Sequence, residues 1–473
     1  MLYSLICKSN GLYFTLIINT LGMIKIKSHN NFNYCYDENT GSLNSVPNDT
    51  IVQEESNVIN AICKKEISEK DIIYQIINSP YIVFEVTEKC NLQCKYCVYS
   101  NCYDGHTKRF GKDMSAKDAI TIIDFVCSNT EKYNVGSLKI DLGFYGGEPL
   151  IRFAFIKEVV EYTKSRWAHF ALSVHMTTNA TLLTEEIMNY LDENSIKLLI
   201  SLDGNEYNHS YRVYKKDGSN SFDDVIKNVD RLRANHPDYF LHKVNFNSVL
   251  HNRNSTKEAT DFIFQKYNKK TMLSELVIDG VKNEYKKEFI EMFKNTLDGL
   301  SSEDYSVIFD KDNYGQLPSF KEAIYFIYNE TPFVYGNYID LLFNKTRIWK
   351  PTGTCLPFGR KLFVASNGNI FPCENVPHRM PFGKVEKGEL KMNLKEIAEK
   401  YNELLSMVSA QCEKCYRKFN CNQCVFFLKP EKNYKCQGFI NKQTYAIYLE
   451  NLINYFEDTP DSFVKIMEDV SLS

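Results

Sequence analysis

The sequence predicts an α/β fold: an open, partial barrel of six β/α units, with a small N-terminal α+β module and a C-terminal cysteine-rich domain. Three observations carry this. Short apolar runs recur at residues 81–86, 138–144, 171–176, 198–202, 244–249 and 276–278. Segments with helical spacing, such as 116–127, 151–166 and 185–194, separate the early runs, and apolar strands alternating with helices make a parallel sheet. Cysteines crowd twice, once directly after the first run and again from residue 355 onward.

Ahead of the barrel, residues 12–18 and 23–26 alternate apolar and polar positions around Asn19-Thr20-Leu21-Gly22, the pattern of a β-hairpin. The Asn-, Asp- and Ser-rich stretch 30–57 reads as loop, and a helix is expected over 58–77. These form a module of residues 1–80. The barrel follows over 81–282, then a helical, aromatic connector over 283–350, the cysteine-rich domain over 351–440 and a helical tail over 441–473.

At 473 residues the chain is long enough for several domains. Hydrophobic residues make up 44% and charged residues 24%, an ordinary globular balance. A formal net charge of -3 gives no reason to expect a nucleic-acid or membrane partner. The apolar run 12–18 is too short to cross a bilayer, and no signal-peptide pattern is present, so a cytoplasmic location is expected. Cytosolic thiols are kept reduced, which leaves 15 cysteines, an odd number, to be explained by metal.

Cys90, Cys94 and Cys97 stand in one eight-residue segment after the first strand. Three thiolates there can hold one face of a cubane cluster and leave one iron open to a small chelating molecule. A zinc knuckle or a redox pair is the alternative, but zinc asks for four ligands, and Cys102 and His106 follow at irregular spacing. A phosphate-loop reading fails: five residues separate Gly105 from Gly111, and Asp113 stands where Ser or Thr is needed.

The C-x-x-x-C-x-x-C spacing with Tyr96 before its last cysteine resembles the signature of the radical S-adenosylmethionine (SAM) superfamily. Gly146-Gly147-Glu148-Pro149 after the second strand looks like that family's GGEP turn, and Thr177-Thr178-Asn179 and Ser201-Leu202-Asp203-Gly204 end the third and fourth strands, followed by Arg212. The resemblance implies a TIM-like partial (β/α)6 barrel, a [4Fe-4S] cluster on Cys90, Cys94 and Cys97, and SAM bound at that cluster. It assigns Gly146, Gly147, Glu148, Pro149, Asn179, Ser201, Asp203 and Arg212 to SAM binding, with the turn's backbone meeting the amino group and Ser201 and Arg212 meeting the ribose or carboxylate. Reduction by a low-potential donor such as flavodoxin or ferredoxin then yields a 5′-deoxyadenosyl radical.

The second set, Cys355, Gly368-x-x-x-x-Cys373, Cys412, Cys415, Cys421, Cys424 and Cys436, resembles the SPASM extension of peptide- and protein-modifying members. One spacing departs: two residues, not three, separate Cys421 from Cys424. The resemblance implies two auxiliary [4Fe-4S] clusters, one on Cys412, Cys415, Cys421 and Cys436, the other on Cys355, Cys373 and Cys424 with its fourth ligand open. A zinc ribbon on Cys412, Cys415, Cys421 and Cys424 is the alternative. Cys7, Cys35, Cys63, Cys102 and Cys127 fit no pattern and read as small buried hydrophobes.

The function implied is maturation of a precursor peptide or protein. The favoured reading is a maturase that installs a thioether or carbon–carbon cross-link in a ribosomally made peptide (RiPP), because the N-terminal module suits a leader-docking role by β-augmentation. The alternatives are an anaerobic sulfatase-maturing enzyme, which forms formylglycine, and a non-catalytic iron–sulfur scaffold. The scaffold has no use for Gly146–Pro149 or Thr177–Asn179.

Overall fold

The computed structural model describes residues 23–469 apart from 39–40, 48–59, 64–65, 104–108, 134–137, 279, 297–317, 332–345, 350–354, 375, 377, 379, 422, 428–435 and 437. The chain forms two compact units, one of Met1–Ile67, Phe309–Thr354 and Glu399–Ser473, the other of Ser68–Ile308 and Cys355–Ala398.

In the first unit, β1 (Met23–Lys27), β2 (Asn33–Asp37) and β3 (Leu43–Val46) make an antiparallel sheet in that order. Ile24 lies opposite Tyr36 and Ile26 opposite Tyr34, so the period of two puts all four side chains on one buried face. Three short strands cannot enclose a core. Theirs is completed by Phe320 and Phe326 from the helix Pro318–Glu330 and by Tyr445, Leu449, Leu452 and Ile453 from the helix Lys442–Asp458. The N-terminal strands, the connector and the tail therefore share one core, where the sequence suggested separate pieces.

Several local expectations change. The first arm of the expected hairpin lies outside the described residues, and β1 pairs instead with β2, inside the stretch 30–57 read as loop. Composition misled there, because Tyr34, Cys35 and Tyr36 are buried among the polar residues around them. The helix expected over 58–77 is divided: β4 (Asn60–Cys63) pairs in parallel with β11 (Thr346–Trp349), and the helix itself is Glu69–Asn78. It starts at a capping box in which the Ser68 hydroxyl accepts from the Asp71 N–H and the Asp71 carboxylate accepts from the Ser68 N–H.

The second unit contains the barrel. β5 (Tyr81–Thr87), β6 (Lys139–Gly146), β7 (Ala171–Thr178), β8 (Lys197–Ser201), β9 (Val244–Val249) and β10 (Thr271–Ser274) lie side by side in sequence order, all parallel. Phe84, Phe144, Met176, Leu198 and Val244 form one register row across the sheet. Phe144 meets Phe155 of the helix Phe153–Arg166 edge-on at 6.3 Å, which marks that row as the helix-facing side. Glu85, Tyr145, Ser201 and Asn247 are out of phase with it and face the other way. Only the sixth strand differs from expectation: it is Thr271–Ser274, while Leu276 packs into a cluster with Tyr96 and Tyr211.

Beyond β5 the sheet continues. β12 (Leu362–Val364) joins it in parallel, followed by antiparallel β13 (Asn369–Phe371), β14 (Gly383–Glu386) and β15 (Glu389–Lys391), ten strands in all. The expected domain 351–440 is thus split, its first part belonging to the barrel's sheet. Gly368 turns the chain between β12 and β13 at φ +82°, where a Cβ would stand 2.0 Å from the Val385 carbonyl oxygen. No other residue fits that position.

The shared core gives a direct test. Tyr36 is fully buried and donates to the Glu330 carbonyl at 3.1 Å, so Tyr36→Ala should destabilise its unit by roughly 3–5 kcal/mol. Denaturant unfolding followed by tryptophan-independent circular dichroism would read this, and an unchanged midpoint would show that the N-terminal strands are dispensable to the unit.

Candidate functional site

Cys90, Cys94 and Cys97 lie on a loop that leaves the C-terminal end of β5. Its backbone is clamped from two sides. On one side the Gln93 N–H donates to the Val213 carbonyl at 2.8 Å, Lys95 N–H to Tyr211 at 3.1 Å, and Lys215 N–H to Asn91 at 3.0 Å. On the other, the Gly147 N–H donates to the Thr87 carbonyl and the Glu148 N–H to the Lys89 carbonyl, both at 2.8 Å. A Cβ on Gly147 would come within 2.0 Å of the Lys89 oxygen, so this approach requires glycine. These N–H groups are therefore spent on the loop.

The three cysteines are partly buried. Burial pushes Cys90 up to about 11 and Cys94 to about 12, with the neighbouring thiols of the loop adding to the shift. The Leu92 N–H at 3.4 Å and the Asn179 side-chain amide at 3.9 Å point at the Cys90 sulfur. Thiols this reluctant to ionise become thiolates when a cation takes the proton's place. Three soft donors on one short loop, with N–H groups directed at sulfur, suit an iron–sulfur cluster.

Glu148 has a different place from the one expected. Only 1% exposed, its carboxylate accepts from the Leu150 N–H at 3.1 Å, the Thr178 hydroxyl at 2.6 Å and the Asn179 N–H at 2.8 Å. Burial raises its pKa against these donors. Its side chain ties the Gly146–Pro149 turn to the end of β7, with Pro149 opening the short 3-10 turn Pro149–Arg152. Asn179 extends the tie, its amide donating to the Asn91 side-chain oxygen of the cysteine loop at 2.9 Å.

Ser201 ends β8 on the face away from the helices and is partly exposed. Asp203, two residues on, is wholly buried and grips Arg212 through both oxygens, with Nε–Oδ2 and Nη2–Oδ1 each 2.9 Å. It also accepts from the Val249 N–H at 2.9 Å and from the Tyr96 hydroxyl. Burial alone would raise the Asp203 pKa, but the Arg212 guanidinium and the nearby His251 hold it well below the usual carboxylate range. Two of the three Arg212 nitrogens are thus committed to Asp203, which leaves Nη1 for any ligand.

Around the second cysteine set, Cys412, Cys415, Cys421 and Cys436 line one cavity with Val408, Gln411, Lys418 and Phe439. Backbone N–H groups again point at sulfur: Gln423 at Cys421, 3.4 Å, and Ile440 at Cys415, 3.5 Å. The Cys436 N–H donates to the Gln411 side chain at 3.0 Å, fixing that cysteine beside the helix Leu394–Glu413. Cys424 does not line the cavity. Cys355 and Cys373 belong to the barrel unit, and the Cys373 thiol lies 3.3 Å from the Glu374 carboxylate, which pairs with Lys361 at 2.9 Å. Among the described residues, no three His, Cys, Asp or Glu side chains converge on a single ion-sized point. Of the cysteines outside the patterns, Cys35 and Cys127 are buried and Cys102 is partly exposed. Cys7 and the side chain of Cys63 lie outside the description.

Sequence reasoning missed Tyr96 as a partner of Asp203, His251 beside both, and the clamp segment 211–215. No local pattern marks them; they meet through contacts more than forty residues apart in sequence.

His209 supplies a testable consequence. Its Nδ1 accepts from the Asp203 N–H at 3.4 Å and its Nε2 meets the Ser221 hydroxyl at 3.1 Å. Burial lowers its pKa to about 3, from an ordinary value of 6.5. Between those values the unfolded chain takes up a proton that the folded chain refuses. The stability is therefore full above about pH 6.5 and is lost as pH falls, by about 1.4 kcal/mol per pH unit at most. In His209→Gln the pH dependence of unfolding between about pH 5 and 6.5 should flatten; an unaltered slope would assign it elsewhere.

Residues 84–265 match the Radical SAM superfamily. An uncharacterized protein of Methanocaldococcus jannaschii is 33% identical over 154 residues, 33% of this chain and 49% of that protein. The radical SAM cyclopropyl synthase TigE of Paramaledivibacter caminithermalis is 32% identical over 173 residues, 35% of this chain and 34% of TigE. The chain thus spans half or less of the length of these two relatives. A cysteine-type anaerobic sulfatase-maturating enzyme of Clostridium perfringens is 23% identical over 395 residues, 77% of this chain and 95% of that enzyme. The solved structure of native anSMEcpe with bound AdoMet shares the fold, with a TM-score of 0.52 and 17% identity over 82% of this chain and 98% of that one. The cysteine loop, its clamping turn and the parallel barrel all lie inside the matched span or adjoin it, so residues 84–265 have the sequence and fold of a radical SAM domain.

Proposed function

We propose that the chain is a radical SAM/SPASM maturase of a ribosomally made peptide, carrying a SAM-binding [4Fe-4S] cluster and two auxiliary ones. Cys90, Cys94 and Cys97 hold the first. With it and SAM bound and an electron delivered by a flavodoxin or ferredoxin, the site supplies a 5′-deoxyadenosyl radical. The carbonyls of Gly146 and Gly147 receive the SAM ammonium, Ser201 and the free Arg212 Nη1 its ribose and carboxylate, and Asn179 and Glu148 fix the turn that does so.

The observation that carries the auxiliary reading is the cavity shared by Cys412, Cys415, Cys421 and Cys436. Its four thiols are the set that the SPASM pattern assigns to one cluster. Auxiliary clusters of this kind accompany modification of peptides, and the named relatives are a cyclopropyl synthase and sulfatase-maturating enzymes. The N-terminal sheet favours a leader-bearing peptide: among the described residues β1 and β3 each pair on one side only, which suits strand addition. No helix among the described residues is long and apolar enough to cross a membrane, and a cytoplasmic site of action suits a ribosomal product.

A second reading, formylglycine formation on a sulfatase, is favoured by the match that covers 95% of the C. perfringens enzyme. Anaerobic incubation with SAM and a reductant separates the two. The short peptide encoded beside the gene should lose two hydrogen atoms, by mass spectrometry, as a cross-link forms. Conversion of a sulfatase-derived cysteine peptide to an aldehyde, with the neighbouring peptide untouched, would establish the second reading instead.

Reconstituted protein should carry about 12 irons per chain, from three four-iron clusters. Cys94→Ala should carry about eight and form no 5′-deoxyadenosine. Stoichiometric zinc with about four irons would replace the auxiliary clusters by a ribbon.

A further inference from the structure

The cysteine loop is neither helix nor strand, yet Tyr96, in its middle, is 6% exposed. Its hydroxyl donates to Asp203, its ring stacks on His251 at 5.5 Å, and the Arg212 guanidinium lies over it at 5.4 Å. Arg212 stands in the segment that pairs with the loop through the Tyr211 and Val213 carbonyls. The same carboxylate therefore holds the loop and its clamp. It is itself fixed from behind, by the Val249 N–H at the end of β9 and by the Asn254 amide on the Asp203 carbonyl at 3.0 Å.

We infer that Asp203 is a positioning residue for SAM cleavage, acting through Tyr96 and Arg212 to align the Cys94–Cys97 span with the SAM site. The inference rests on the SAM-cleaving reading of the loop and is independent of which peptide is modified. A charge so deeply buried is costly unless paired, and here the pairing joins four chain segments: the loop, the end of β8, the clamp and the end of β9. Removing one hydroxyl from Tyr96 loosens the loop without unpairing a charge, while Asp203→Asn leaves Arg212 buried and uncompensated. Small misplacement of a reacting group costs up to about a hundredfold in rate.

The test uses the reconstituted full chain without peptide. In Tyr96→Phe the iron content should match the parent, while the electron paramagnetic resonance spectrum of the reduced cluster with SAM shifts. 5′-Deoxyadenosine formation should fall about ten- to a hundredfold in kcat, with the KM for SAM within about twofold. Asp203→Asn should do at least as much and also raise the KM for SAM, and Asp203→Glu should recover part of the rate. A parental spectrum and kcat in Tyr96→Phe would overturn the inference. Loss of the cluster from Tyr96→Phe would overturn it too, by making Tyr96 a means of retaining iron.

Discussion

The segment that carries Cys90, Cys94 and Cys97 forms neither helix nor strand, so its backbone must find partners elsewhere, and the rest of the barrel's upper end is arranged around that constraint. Buried N–H and C=O groups need partners. The segment from Asn91 to Lys95 finds them in Tyr211–Lys215, and the segment from Thr87 to Lys89 finds them in Gly147 and Glu148. Each of those partners must then be held in place. Glu148 is tied to Thr178 and Asn179, Asn179 to Asn91, and Arg212 to Asp203. The ends of β5, β6, β7, β8 and β9 all contribute. This explains why motif residues occur at successive strand ends without each having to touch a ligand.

That distinction separates what was legible in the sequence from what was not. Five of the six barrel strands were visible because their signal is local: a buried parallel strand is an apolar run between helices. The cysteines and the glycine turn were visible because their chemistry is rare. The roles within the motifs were less visible. Glu148 and Asp203 read as cofactor contacts from their positions, whereas their carboxylates face protein donors. A motif records that a residue type is required and does not say whether a ligand or a neighbouring loop requires it.

The first unit was harder to read for another reason. β4 finds its partner in β11, almost three hundred residues away, and the core under β1 and β2 is finished by Phe326 and Tyr445. Neither element carries enough apolar surface to announce itself. Tyr34 and Tyr36 are surrounded by Asn and Asp, so composition pointed to loop while their two-residue spacing supported a strand. The capping box at Ser68 was a local signal, and it would have placed the start of the helix correctly had it been weighed above periodicity.

The two cysteine settings share one physical solution. In each, sulfur is approached by backbone N–H groups: Leu92 at Cys90, Gln423 at Cys421, Ile440 at Cys415. N–H donors stabilise negative charge on sulfur, and this is one of the means by which a protein sets the potential of an iron–sulfur cluster. The settings differ in their second layer. The barrel loop is backed by a buried ion pair, Asp203 with Arg212, that is nearly neutral as a whole. The cavity of Cys412, Cys415, Cys421 and Cys436 has Lys418 in its wall and the half-exposed Phe439 at its side. A cluster in the first setting is enclosed by protein whose charges cancel. One in the second would have the Lys418 side chain in its wall, a positive charge that favours the reduced state.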